Sequence, residues 1–286
     1  MFEPSNESFE IRNMDRDGVG EAVTWADREG WEPGLDDAAA FFEADREGFF
    51  SITDEGRTLA MISAVRCSPE VAFVGLYIVD PEFRGQGFGK HLWDEVVAKR
   101  DGMTLGLDAV PEQVGTYASD GFEVAYGNAR YSADHLPAPE PSASLIRPAA
   151  DFPFESLAGF DGQHCFGPRP AFLNEWIDGH NRNSLVSTND SGEITGFAAS
   201  RKSAAGTRIG PVFADDQVIA RNLILTLASN STGRIAVDVP QPNLAAVELV
   251  EGLGMARSFE TSRMYRGPAP VLPLDRIFGI TTLELG

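Results

Sequence analysis

The sequence predicts an α/β (α+β) protein made of two consecutive domains, each a mixed β-sheet flanked by helices. Three observations predict it. Strand-like and helix-like apolar patterns alternate along the chain, the arrangement of a sheet covered by helices. The pattern of the first half recurs in the second at an offset of 135 residues. Between them lies a proline-rich stretch, Ser132–Ser144 (SADHLPAPEPSAS), in which Pro137, Pro139 and Pro141 favour an extended spacer over packed structure. The expected units are residues 1–134, a linker at 135–146, and 147–286.

Each half opens on a short strand, Phe9–Asn13 and Ala143–Arg147, with Ile11-Arg12 falling on Ile146-Arg147. Two helical stretches follow in the first half, around Val19–Glu29 and Asp36–Glu43. Phe49–Arg66 then aligns without gaps on Ser184–Arg201. In each, alternating apolar runs flank a polar turn, TDEG or TNDSG, the pattern of a β-hairpin. The third strand, Val71–Val79 or Arg208–Phe213, carries Gly75 on Gly210, and beyond it Asp80 falls on Asp215 and Leu92 on Leu227. The next helix shows Gly89, Trp93, Val96 and Val97 on one face, an amphipathic stripe. A further strand (Met103–Leu107; Arg234–Val239) leads to a helix ending at Gly121 or Gly254, where the offset slips to 133. A final strand pair is expected to close each half.

Composition narrows the function. The 286 residues carry a net charge of −20, with 43% hydrophobic and 23% charged residues, which suits a globular chain. Such acidity disfavours nucleic-acid phosphates and anionic membrane surfaces. Three lysines stand against twenty arginines, and an acidic, lysine-poor chain resembles proteins of salt-accumulating halophiles. Two cysteines and four scattered histidines offer no metal-ligand spacing and no disulfide framework. No secretory start and no membrane-length apolar run is read, so a cytoplasmic protein is expected.

The segment that carries chemistry is Gly75–Leu92, GLYIVDPEFRGQGFGKHL. An apolar strand ends at Val79, Asp80-Pro81 breaks it, and Gly85, Gly87 and Gly89 open a helix. Alternating glycines permit positive φ and let backbone amides approach a ligand. At a helix N-terminus such amides form an anion site, here rimmed by Arg84 and Lys90. The spacing fits neither a dinucleotide G-x-G-x-x-G nor a P-loop. It is R-x-x-G-x-G, Arg84–Gly89, and together with Tyr117 four residues before Gly121-Phe122 it resembles the coenzyme A loop and helix of the GNAT superfamily of acyl-CoA N-acyltransferases. The resemblance covers Ile11 to about Tyr131.

The resemblance implies a splayed sheet, with pantetheine laid along the backbone of Ile78 and Val79 and the pyrophosphate on the amides of Gln86, Gly87, Phe88, Gly89 and Lys90, beside Arg84 and Gly85. It implies direct attack of a primary amine on acetyl-CoA, an oxyanion donor near Tyr77 or Ile78, and Tyr117 as the acid that protonates the departing thiolate. The base is expected among Asp108 and Glu32, and the acceptor wall among Trp31, Trp25 and Tyr77. The acceptor itself is a small-molecule or peptide amine, a cationic one being favoured by the acidity. At offset 135, Ile219, Asn222 and Ile224 replace Arg84, Gly87 and Gly89, and Val250 replaces Tyr117. The second half therefore reads as a degenerate copy serving as partner, pocket wall or homodimer surface. The competing reading is an acyl-CoA sensor without turnover.

Overall fold

The computed structural model describes residues 9–139, 145–179 and 181–286. The first eight residues, positions 140–144 of the expected linker and second-half strand, and His180 lie outside the described residues.

In the first half the order is β1 (Phe9–Asn13), α1 (Arg16–Arg28), α2 (Asp37–Ala44), β2 (Phe49–Asp54), β3 (Arg57–Arg66), β4 (Val71–Val79), α3 (Phe88–Ala98), β5 (Thr104–Ala109), α4 (Val114–Ser119) and β6 (Glu123–Ala133). The second half repeats it as β7 (Leu145–Pro148), α5 (Phe154–Gly162), α6 (Pro170–Ile177), β8 (Arg182–Thr188), β9 (Ile194–Ser203), β10 (Gly206–Ala214), α7 (Gln217–Ser229), β11 (Arg234–Pro240), α8 (Leu244–Gly252) and β12 (Ala256–Arg266). A short β13 (Ile277–Gly279) has no counterpart in the first half.

The two halves form one continuous sheet, ordered β1-β2-β3-β4-β5-β12-β6-β11-β10-β9-β8-β7, with β13 against β10. The expected final strand pair in each half is replaced by one long strand, and these two strands are exchanged. β12 lies against β5, from Ser262–Ala109 to Arg266–Leu105, and β6 against β11, from Ile235–Ala133 to Pro240–Asn128. They pair with each other between them.

The exchange carries a matched pair of buried ion pairs. Arg263 on β12 holds Asp108 on β5 through two hydrogen bonds, 2.9 and 2.7 Å. Arg130 on β6 holds Asp238 on β11 in the same manner, at 2.9 and 3.4 Å. A third ionic cluster, Asp37 with Arg182 at 3.1 Å and Arg201 at 3.6 Å, ties α2 to β8 and β9. Apolar packing crosses the seam as well: Phe41 of α2 stacks on Trp176 of α6 within a core drawn from both halves. Two further cores lie under α3 and under α7 and α8.

What positions the site is a divergence of strands. β4 pairs with β3 as far as Ala60–Val79, but with β5 only from Val71–Thr104 to Val74–Leu107. From Gly75 onward its β5-facing edge therefore borders a cleft. A bulge sits there, with Leu76 at φ 47°.

Candidate active site

At the end of β4 the Asp80 carboxylate accepts from the Glu82 amide (2.9 Å) and starts a single turn, Pro81–Phe83. Gly85 and Gly87 follow at φ 74° and 89°, both exposed, and a Cβ on Gly85 would meet nothing within 4 Å. Their glycine is required by backbone conformation. Gly89 differs: a Cβ there would lie 2.7 Å from both Tyr77 Oη and Val79 Cγ2, so this glycine lets α3 lie against β4. Its expected part in the cradle is thus joined by a packing role.

The amides of this loop are available. Among the described residues, those of Gly85, Gly87, Phe88, Gly89 and Lys90 have no partner within the protein, and that of Gln86 has only a long 3.4 Å bond to the Phe83 carbonyl. Converging donors at a helix N-terminus suit a phosphate group. The rim cations are already oriented. Arg84 donates from Nε to the Val79 carbonyl (2.9 Å) and pairs with Glu29, while Lys90 pairs with Asp94. The side chains of Phe88 and Gln86 turn to other work, Phe88 against Phe9 and Phe83 and Gln86 onto the Glu82 carbonyl.

The cleft opens into a cavity of about 470 Å³ between β4, β5 and α4. Ile78, Val79, Arg84, Tyr77, Tyr117 and Trp31 all line it, so sequence reasoning brought these to one place. Tyr117 is half-buried, its ring 5.3 Å from Trp93 and 6.1 Å from Phe122. Burial pushes its phenol up to about 12, which keeps the proton on the oxygen at neutral pH. Burial also raises Tyr77, with Tyr117 and Asp94 adding to the effect. Trp31 has its carbonyl held by Arg130 (2.9 Å), whereas Trp25 is core.

The two expected bases are placed differently. Asp108 touches the cavity, but both its oxygens are held by Arg263 and one also by Asn128 (2.8 Å). The second half keeps the equivalent pair, Arg130–Asp238, without the loop or the tyrosine. Such a pair belongs to the exchanged strands. Glu32 lies outside the cavity: it pairs with Arg234 and approaches Arg130 at 3.6 Å across the seam between the halves.

Several lining residues carried no local signal. Glu29 is three positions from the glutamate chosen from the EGWEPG loop. Phe259 and Thr261 arrive on the exchanged β12, and Leu283 and Glu284 on the tail beyond β13. That tail packs closely on the bulge, with the Glu284 carbonyl 2.1 Å from where a Cβ on Gly75 would stand. Glu284 is buried, its carboxyl bonded to the Thr282 hydroxyl, and burial raises its pKa above the ordinary glutamate value.

The second half departs more deeply than substitution. Only two residues join β10 to α7, where eight join β4 to α3. The buried positions of the two helices therefore match as Gly89 with Ala220, Leu92 with Leu223 and Trp93 with Ile224, rather than at the offset of 135. Asp216 caps α7 by accepting from the Ile219 amide (2.9 Å), so a carboxylate occupies the helix N-terminus. β13 lies in the corresponding cleft, pairing with β10 at Val212–Gly279 while the Ile280 amide bonds the Asp238 carbonyl. Val250 does match Tyr117: its carbonyl takes the Met255 amide as that of Tyr117 takes the Phe122 amide, both at 3.1 Å.

Residues 16–117 match the acetyltransferase (GNAT) family and residues 159–279 an acetyltransferase (GNAT) domain. A holothin acyltransferase of Pseudoalteromonas sp. (strain SANK 73390) is 32% identical over 264 residues, covering 92% of this chain and 89% of the relative. An uncharacterised N-acetyltransferase of Bacillus subtilis (strain 168), YitH, is 23% identical over 201 residues, 69% of this chain and 71% of that protein. Among solved structures, a candidate acetyltransferase from Pyrococcus horikoshii superposes with a TM-score of 0.81 at 18% identity, covering 100% and 99% of the two chains. A tandem GNAT protein from the clavulanic acid biosynthesis pathway gives 0.64 at 14% identity over 92% and 100%. Among the described residues no metal-binding cluster is found, and no helix is long and apolar enough to cross a membrane.

Proposed function

The chain belongs to the GNAT family of acyltransferases, and on that premise we propose that its first half transfers an acetyl group from acetyl-CoA to a primary amine. The observation that carries the proposal is the pairing of an open β4 edge with a loop whose amides are unclaimed. Pantetheine can add to that edge as a short strand would, and the pyrophosphate can take the amides of Gln86 to Lys90. The amine enters beside Trp31 and attacks the thioester directly. Backbone donors at the β4 bulge oppose the oxyanion, and Tyr117 passes its proton to the departing thiolate, whose conjugate acid resembles cysteine at about 8.5.

In this reading residues 1–134 are catalytic and 147–286 bind no coenzyme. The shortened turn before α7, its Asp216 cap and the β13 plug support that division. The relative's name makes holothin the first acceptor to test, before a panel of small amines and N-terminal peptides. The assay is release of free thiol from acetyl-CoA, with mass spectrometry of the product. Turnover with an acceptor gaining one acetyl group supports the proposal. Saturable CoA binding with no turnover on any amine would instead make the cleft a sensor.

A further inference from the structure

The chemistry above needs a group that takes a proton from the acceptor ammonium, and the two carboxylates expected for it are tied up in ion pairs. Of the carboxylates lining the cavity, Asp108 is held by Arg263 and Glu29 by Arg84. Glu284 is the third. It is buried, and among the described residues no basic side chain comes within ion-pairing distance of it. Its carboxyl has one hydrogen bond, from the Thr282 hydroxyl. Its backbone lies on Gly75, next to the bulge from which the oxyanion donors come. Glu284 thus lines the cavity in which the proposed reading brings the amine and the thioester together.

We propose that Glu284, delivered to the first half by the tail of the second, is the proton acceptor for the incoming amine. This rests on the acetyl-transfer reading. The Glu284 carboxylate takes one proton from the acceptor ammonium and becomes a carboxylic acid. The freed lone pair forms the C–N bond to the thioester carbon. As the C–S bond breaks, Tyr117 protonates the sulfur, and the proton still carried on nitrogen restores the Tyr117 phenol through water. The glutamic acid returns its proton to solvent, so one proton leaves for each amide formed from an ammonium.

The surroundings set the range in which this works. Burial raises the Glu284 carboxyl, opposed by the Thr282 hydroxyl and by Arg201 on β9 and Arg208 on β10, and aided by Asp37 on α2. Arg130 on β6 also feels its charge, and Tyr77 and Tyr117 line the same cavity. The three arginines are engaged elsewhere, Arg208 and Arg130 by Asp238 and Arg201 by Asp37. A carboxyl held above its usual range is, when ionised, a stronger base than an exposed glutamate.

The test is Glu284→Gln in the full chain, with an amine that the wild type acetylates. The variant should bind acetyl-CoA with unchanged affinity and lose about 10²–10⁴-fold in kcat. The inflection that Glu284 sets on the acid limb should disappear, leaving a lower rate whose climb follows only the amine's own deprotonation. Infrared difference spectra of the free protein should lose one carboxylic-acid band that titrates in the wild type, and Thr282→Val should move that titration and the acid limb upward together. A Gln variant with the wild-type kcat and acid limb, or a band that survives the substitution, would overturn the assignment while leaving the transferase reading intact. A wild type that acetylates no amine overturns both.

Discussion

Replacing Asp108 with Asn tests whether this carboxylate is a base or a structural anchor. Its partner Arg263 is about as buried as a side chain can be, 1% exposed, and so is Asp108. Removing one member of a buried ion pair strands the other charge, at a cost of about 3–5 kcal/mol. At roughly 2 °C per kcal/mol for a chain of this size, the melting temperature should fall by about 6–10 °C. Asp238→Asn, which strands Arg130 on the other side of the exchange, should cost a similar amount. Calorimetry or circular dichroism reads the shift. Thiol release measured where Asp108→Asn is still folded should stay within about tenfold of the wild type. Joining Asp108→Leu to Arg263→Met should recover most of the lost stability, because a buried pair can often be replaced by apolar side chains at little cost. An Asp108→Asn variant that melts with the wild type but has lost thiol release by about 100-fold or more would restore Asp108 as the base and refute the structural reasoning.

Tyr117→Phe should lower turnover by about 10²–10⁴-fold with little change in acetyl-CoA affinity, read by thiol release and calorimetric titration; unchanged turnover would remove its assigned role. Gly87→Val forces a β-branched residue to φ 89° in an open loop, so it should weaken acetyl-CoA binding at least tenfold while costing only about 1–3 kcal/mol of local strain. Gly89→Val should also destabilise the fold by about 1–3 kcal/mol, since its Cβ meets Tyr77 and Val79; a difference in binding without one in stability would contradict the packing assignment. Phe278→Ala removes a ring that is 2% exposed in the β13 plug and should cost about 3–5 kcal/mol by thermal melting. Raising KCl from about 0.1 M to about 1 M shortens the screening length from about 10 Å to about 3 Å. With a net charge of −20, the melting temperature should rise over that range if self-repulsion opposes the fold.

Local chemistry decided what could be read before the fold was seen. β1 and β4 were bounded to the residue, because their apolar runs end in turn formers, and the loop at 84–90 announced itself by glycine spacing. Tyr117 was reachable because a helix-ending glycine fixes its position in the chain. The ion pairs of Asp108 and Glu32 were not, because they reach Arg263 and Arg234, each more than 130 residues away in the other half, which no local pattern encodes. Glu284 was invisible for the same reason: nothing around it in the sequence marks a tail that crosses to the other half. The comparison of the cradles also misled in one respect, since a fixed offset cannot register a turn that has been shortened, and helix burial rather than sequence order pairs Gly89 with Ala220.

The second half lacks the long glycine-bearing connection of the first, and yet the first half packs on it throughout. β5 would present a bare edge without β12, and Asp108 would be buried without Arg263. The tail explains a further asymmetry. Its first part fills the cleft between β10 and β11 with Ile277–Ile280, and its last part reaches the bulge of β4 with Glu284. Both contacts are made on matched glycines, Gly210 under the carbonyls of Ile280 and Thr281 and Gly75 under that of Glu284. A chain of two equal copies has only one such tail to share. Plugging the second cleft anchors the segment that reaches the first, so on the acetyl-transfer reading proposed above the missing second coenzyme site and the acceptor wall would be two consequences of one structural choice.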